Sequence, residues 1–238
     1  MSISSSLIII TLAALLHASF QLSISVLTLM SGHAIGAHNP RVKVLGLITS
    51  FVFGSGVMTL LLLAFVSFIL SSLFNADTSP AFWAISCGLV VGVGIAVWLF
   101  YYRHERGTML WIPRGMARYL SDRSKITKSS SEAFGLGLSS VFGELLFIIA
   151  PIIISAIILV QLPSTWQLVG LIIYTIISLS SLLIIWVLIG SGHQLSRIQK
   201  WREKNKYFLQ FAAGSGLVVL GFFVYANQMM NVVISGGS

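Results

Sequence analysis

Long apolar runs alternate with short polar connections along this chain. Six runs, near residues 7–30, 44–73, 81–102, 133–161, 165–190 and 207–230, are long enough to cross a hydrocarbon core, which takes about 20 helical residues. They are unbroken rather than alternating polar and apolar, which predicts helices and not barrel strands. The expected fold class is an all-α integral membrane protein with six transmembrane helices.

Composition agrees with the pattern. The chain is 56% hydrophobic and 8% charged, with mean hydropathy +0.96, where soluble domains carry about 25% charged residues. Its first residues, MSISSSLIII, lack a basic n-region, so they read as the approach to a span and not as a cleaved signal peptide. A single cysteine, Cys87, excludes an intramolecular disulfide, a CxxC redox pair and a cysteine-based zinc site.

Charge sets the expected orientation. All fourteen Lys and Arg lie in three connections: two after the first run, seven between the third and fourth, five between the fifth and sixth. The other two connections and both ends carry none. The positive-inside rule then puts the three basic connections in the cytoplasm and both termini outside, as in a bacterial cytoplasmic membrane. The net charge of +8 is accounted for by topology and contact with anionic headgroups of the lipid bilayer. No nucleic-acid partner is needed.

Polar residues inside the runs mark the candidate chemistry. In the stretch GLGLSSVFGELLFIIAP, residues 135–151, Glu144 is the only acidic side chain within any long apolar run. A charge at mid-helix costs roughly 2.5–3.5 kcal/mol on the mildest scale, so it implies a partner or a task. Ser140 lies beside it. Pro151 should kink or interrupt this helix about two turns beyond, opening it to a cavity. His17, Gln21, Ser25 and Thr28 recur at steps of four, four and three on one face of the first helix. That stripe should face protein or water, either as part of a site or as interhelical hydrogen bonds. Tyr174, Thr175, Ser178 and Ser181 form a further polar wall in the fifth run. His33 and His38 stand five apart with no carboxylate or thiol nearby, so they read as solvated residues near the interface, and metal binding is left unassigned.

Small residues recur at every fourth position: Gly46, Ser50 and Gly54 in the second run; Ala84, Gly88, Gly92 and Ala96 in the third; Gly135, Ser139 and Gly143 in the fourth. In lipid this spacing permits close helix packing. In the second and third runs it serves the monomer or a homodimer. The connection 103–132 interleaves Trp111, Met116 and Tyr119 with Arg, as a headgroup-level segment does, and its KITKSSSE tract reads as a flexible link.

The chain divides into a first three-helix unit (1–102), this basic interfacial linker (103–132), and a second three-helix unit (133–238). Three is odd, so the second unit starts from the opposite side. Gln21 precedes Gly46 by 25 residues and Glu144 precedes Gly170 by 26. Superposing Gln21 on Glu144 also sets His17 against Ser140. Such symmetry is expected of inverted-topology repeats, whose site lies near the midplane between the first helices of the two units. His17 is about ten residues into its run and Glu144 about eleven, which brings both near mid-depth at about 1.5 Å per residue.

On SGHAIGAHNPRVKVLGLITSFVFGSG, FGLGLSSVFGELLFIIAP and GSGHQLSRIQKWREKNKYFLQFAAGSGLVVLGFFVY, the chain resembles the superfamily of six-helix membrane proteins that includes LysE-type exporters and CcdA/DsbD electron-transfer modules. The resemblance implies the inverted-repeat fold. The electron-transfer branch has Pro-Cys in its first and fourth helices, whereas this chain has no cysteine there, and thiol–disulfide exchange needs a thiolate and a disulfide. The exporter branch has Pro-Gly-Pro where this chain reads His-Ala-Ser at residues 17–19.

The expected function is a secondary transporter, an exporter of a small cationic or polar solute (amino acid or metal ion), coupled to protons. Glu144, His17, Gln21, Ser140 and Ser25 would form its binding site, with Pro151 at the helix break. The alternative is a non-transporting membrane subunit or assembly factor with a cysteine-less CcdA/DsbD-like fold. No HExxH, GxSxG or Asp pair occurs in the runs, and neither enzymatic activity nor a cofactor is expected.

Overall fold

The computed structural model describes residues 2–20, 22–36, 40–73, 80–100, 114–191 and 195–236. All regular structure among them is α-helical. In chain order the helices are α1 (Ile3–Ser19), α2 (Leu22–Gly36), α3 (Arg41–Leu73), α4 (Pro80–Phe100), α5 (Arg114–Ile126), α6 (Ser130–Gly143), α7 (Leu145–Gln161), α8 (Ser164–Ser178), α9 (Ser180–Gly190), α10 (Leu195–Lys204) and α11 (Lys206–Gly236).

Within α3, α4 and α11, the segments Arg41–Ser72, Trp83–Phe100 and Lys206–Gln228 are each long and apolar enough to cross a membrane alone. Three pairs qualify only as bent spans: α1 with α2 at 46°, α6 with α7 at 79°, and α8 with α9 at 48°. Large apolar side chains such as Phe53, Phe68 and Phe208 are about two-thirds exposed. A soluble protein rarely presents so much contiguous apolar surface. This is the outside of an integral membrane protein, facing hydrocarbon.

The long helices pack where glycine removes the obstacle. On Gly54, a Cβ would come within 2.2 Å of the Phe134 carbonyl oxygen; on Gly137, within 2.2 Å of the Phe51 carbonyl oxygen. These two glycines let α3 and α6 meet backbone to backbone. Gly94 and Gly214 do the same for α4 and α11. There Gln210 donates to the carbonyls of Val97 and Trp98 near the end of α4, at 2.8 and 2.7 Å. The small-residue stripes thus divide. Gly54 serves the monomer, whereas Gly46, Gly88, Gly92 and Gly135 face open space. The close contact of α6 runs through Gly137.

Two expectations about continuity need correction. Pro151 lies inside α7, which runs unbroken from Leu145 to Gln161; the interruption falls earlier, at Glu144. Proline removes one backbone N–H, and here the helix tolerates that loss among buried neighbours. At Glu144 the backbone N–H is shared between the carbonyls of Ser140 and Val141, at 3.2 and 3.1 Å, so the last turn of α6 tightens before the chain turns away. The tract 125–132 is also no loose link. It ends α5 and begins α6 with a capping box, Ser129 with Glu132. α5 folds back along α6: Met116 and Leu120 lie against the Gly143 position, and Leu120 and Ser124 are buried. The start of the linker, residues 103–113, lies outside the described residues.

Candidate functional site

The three helix interruptions meet at one place. The end of α1, the start of α2, the α6–α7 break at Glu144 and the α8–α9 break at Leu179 surround a cavity of about 20 Å³, with Thr59 of α3 on the remaining wall. His17, Ser23, Ser178 and Ser181 supply its other polar groups. A helix that stops leaves backbone groups without intrahelical partners. In hydrocarbon those groups must find protein or water, so interrupted helices collect where they can satisfy one another.

Glu144 is the centre of this exchange. Its side chain is buried, and its Oε1 accepts the Ser23 backbone N–H at 2.7 Å. The Leu22 backbone N–H bonds to the same carboxylate. Leu22 and Ser23 open α2, so the carboxylate occupies the positive end of that helix and takes donors that have no carbonyl of their own. Ser140 donates to the Gly137 carbonyl at 2.8 Å and lies 3.1 Å from the Ser23 hydroxyl.

The other side of the cavity is built the same way. His17 Nδ1 lies 3.0 Å from the hydroxyl of Tyr174, which is wholly buried. Ser181 donates to the Ala18 carbonyl at 2.7 Å, which satisfies the last turn of α1 from α9. A buried cation stands nearby. Arg202 of α10 donates through Nη2 to the Ser25 hydroxyl at 3.0 Å, one turn into α2, and its charge acts on Glu144.

His17, Ser140 and Glu144 are thus brought together, His17 and Glu144 on the cavity wall and Ser140 just behind it. Ser25 is not on the wall; it holds Arg202 one turn away. Pro151 does not line the cavity. Gln21 lies outside the described residues. The fifth-run polar wall divides: Tyr174 holds His17, Ser178 and Ser181 line the cavity, and Thr175 bonds to the Leu171 carbonyl of its own helix. His33 is exposed on α2, and His38 lies outside the described residues. Among the described residues no group of three or more His, Cys, Asp or Glu stands close enough to hold a metal.

Sequence reasoning missed Ser23, Thr59 and Arg202. Thr59 is an ordinary polar residue in an apolar run. Ser23 matters through its backbone, and only once α2 is known to begin at Leu22. In the sequence Arg202 is one of the topology-setting cations, yet it is about 5% exposed and bonds Ser25 of α2. The signal for it was positional: it sits in an amphipathic segment directly before the last apolar run.

About 10–15 Å³ of such space holds one water molecule. A cavity of about 20 Å³ therefore suits a water, a proton carrier or a small bare ion, and no amino acid fits it in this form. No protein-family model, curated protein or solved structure matches this chain.

Proposed function

We propose that this protein is a secondary transporter in a bacterial cytoplasmic membrane, exporting a small cation by proton-coupled alternating access around Glu144. The observation that carries the reading is the convergence of three interrupted helices on one buried carboxylate, beside a polar cavity. Interrupted helices near the midplane are how many transporters present charge and free backbone groups to a solute. The cavity volume favours a proton or small inorganic cation over an amino acid. Arg202 is a built-in competitor for the carboxylate, held one turn away by Ser25.

The pattern of helix contacts supports the inverted-repeat part of this reading. Take the six spans as α1–α2, α3, α4, α6–α7, α8–α9 and α11. The first touches the fourth, and the third pairs with the sixth. The second packs on the fourth as the fifth packs on the first; the third meets the fourth as the sixth meets the first. Exchanging the two halves leaves this network unchanged. The exclusion of all basic residues from two connections and both ends supports an orientation with both termini outside. The exposed stripe of Gly88 and Gly92 on α4 is the face such a protein would offer to a second copy.

The test is flux in proteoliposomes. Lumenal pH is followed with a trapped dye while Li⁺, Na⁺, K⁺, Mn²⁺ or lysine is offered in turn. One cation should drive proton exchange in the wild type, and Glu144→Gln should abolish it while the protein remains monodisperse. Equal flux from Glu144→Gln would overturn the assignment. One observation favours a second reading, a non-transporting subunit or assembly factor: the Glu144 carboxylate is already engaged by the first turn of α2. On that reading no offered ion moves protons in the wild type, and Glu144→Gln leaves the partner complex intact.

A further inference from the structure

A second cavity opens on the outer face of the bundle, in the seam between α3 and the α8–α9 pair. Its volume is about 410 Å³. Val52, Gly56, Val57 and Leu60 form one wall; Leu179 and Trp186 form the other. The two threonines that border it are engaged: Trp186 Nε1 donates to Thr49 Oγ1 at 2.9 Å, and Thr175 Oγ1 donates to the Leu171 carbonyl at 2.9 Å. No charged side chain lines it. It opens among outward-facing apolar residues, Phe53 and Leu60 included. An occupant must therefore be apolar and must arrive from the hydrocarbon.

The seam has a polar end. Arg41 opens α3 eight residues before Thr49, so it lies about 12 Å further along the helix axis. Its guanidinium donates to the Gly190 carbonyl at the end of α9, which holds it over the same α3–α9 seam. Arginine has five N–H donors arranged to match a phosphate, and only part of that set is used by one carbonyl. Lys43 is exposed in the same turn, and the first turn of a helix favours anions. Neither α3 nor α9 contains an acidic residue.

We propose that this seam binds an anionic phospholipid, with its phosphate on Arg41 and one acyl chain in the groove between α3 and α8–α9. The spacing from Arg41 to Thr49 spans the headgroup-to-chain region of one lipid, and the groove then takes the chain down to Leu60. The site is tied to the polar cavity by one residue. Leu179 lines both cavities and forms the α8–α9 break. Gly56 faces it so closely that a Cβ there would stand 3.0 Å from Leu179 Cδ1. A bound chain therefore packs against the same Leu179 that lines the Glu144 cavity at the α8–α9 break. This site stands whether or not the protein transports.

Native mass spectrometry of the detergent-purified protein tests it, with phosphatidylglycerol and phosphatidylcholine of identical chains added in turn. The wild type should retain phosphatidylglycerol at least tenfold better. Arg41→Gln should bring the two lipids to equal retention, and Val57→Trp, which fills the groove, should lower both. If Val57→Trp fails to fold, phosphatidylglycerol with brominated chains replaces it. The bromines should quench wild-type tryptophan fluorescence, and Trp186→Phe should lose that quenched component. No preference for phosphatidylglycerol in the wild type, retention unmoved by Arg41→Gln, or quenching unchanged in Trp186→Phe would each overturn the proposal.

Discussion

The Glu144 carboxylate and the Ser23 backbone N–H meet at 2.7 Å across 121 residues of sequence. This contact joins the sharpest bend in the bundle to the start of another interrupted helix. It gives Glu144 a structural role beside any part in solute binding, and substitutions can separate the two.

Glu144→Gln keeps an acceptor for the first turn of α2, whereas Glu144→Ala leaves buried donors unpaired. A buried unsatisfied group costs about 1–3 kcal/mol. Thermal unfolding in detergent should place Glu144→Gln close to the wild type and Glu144→Ala clearly below it. Proton-coupled flux should be lost in both. A wild-type melting temperature for Glu144→Ala would mean that the cap contributes nothing.

The His17–Tyr174 pair holds α1 against α8. Tyr174→Phe removes the hydroxyl and leaves His17 Nδ1 without this partner, at a cost of about 1–2 kcal/mol. His17→Phe should cost a similar amount, and the double substitution less than the sum, because the pair is then removed together. A double-mutant cycle on unfolding checks this; strict additivity would show that the 3.0 Å contact carries no coupling.

Glycines of the bundle should sort by what faces them. Gly137→Ala drives a methyl against the Phe51 carbonyl and must separate α3 from α6, a destabilisation of about 1–3 kcal/mol or more. Gly88→Ala meets open space, and alanine is about 1 kcal/mol better than glycine within a helix. Expression and thermal stability should fall for the first and hold or rise for the second. If Gly88→Ala instead breaks a dimer seen by crosslinking, the open stripe of α4 is a subunit interface.

Arg202 should act through charge and reach together. Arg202→Lys keeps the charge but loses the planar fork that bonds Ser25; Arg202→Gln loses the charge. On the transport reading, Arg202→Gln removes the competitor for Glu144, so the driving cation should half-saturate flux at a concentration several-fold lower, with Arg202→Lys between. The concentration dependence of flux in proteoliposomes measures this. An unchanged value in both variants would make Arg202 a packing residue only.

The capping box of α6 should be pH-sensitive. The Lys128 and Ser129 backbone N–H groups donate to Glu132 Oε2 at 2.8 and 3.2 Å and hold its carboxyl below the ordinary value. The ionised form is thus favoured in the folded helix. Its contribution is fully present above the ordinary carboxylate range and is lost as pH falls through the lowered one. Hydrogen exchange at the first amides of α6, compared with those of α7, should therefore quicken on acidification beyond its intrinsic pH dependence. Glu132→Ala should remove that excess.

Hydropathy alone determined the membrane-length helices, because unbroken runs of about 20 apolar residues match a helix crossing hydrocarbon and lack the alternation of barrel strands. Glu144 was equally legible, since an acid in such a run is conspicuous whatever the fold. His17 could be picked out for the same reason. Other features depended on contacts between distant segments. The break at Glu144 is not visible in the sequence, because proline is the familiar sign of an interruption and Pro151 lies inside a continuous helix; the chain turns instead at Glu144, whose carboxylate bonds another helix's first turn. Ser23 contributes a backbone group, which no side-chain pattern reports. Arg202 reads in the sequence as one more loop cation, and only the fold buries it, with its guanidinium on Ser25 of α2. Periodicity can say which residues share a face of one helix. Only the tertiary structure decided which helix ends meet, because backbone groups left over at those ends pair across the bundle and not along the chain.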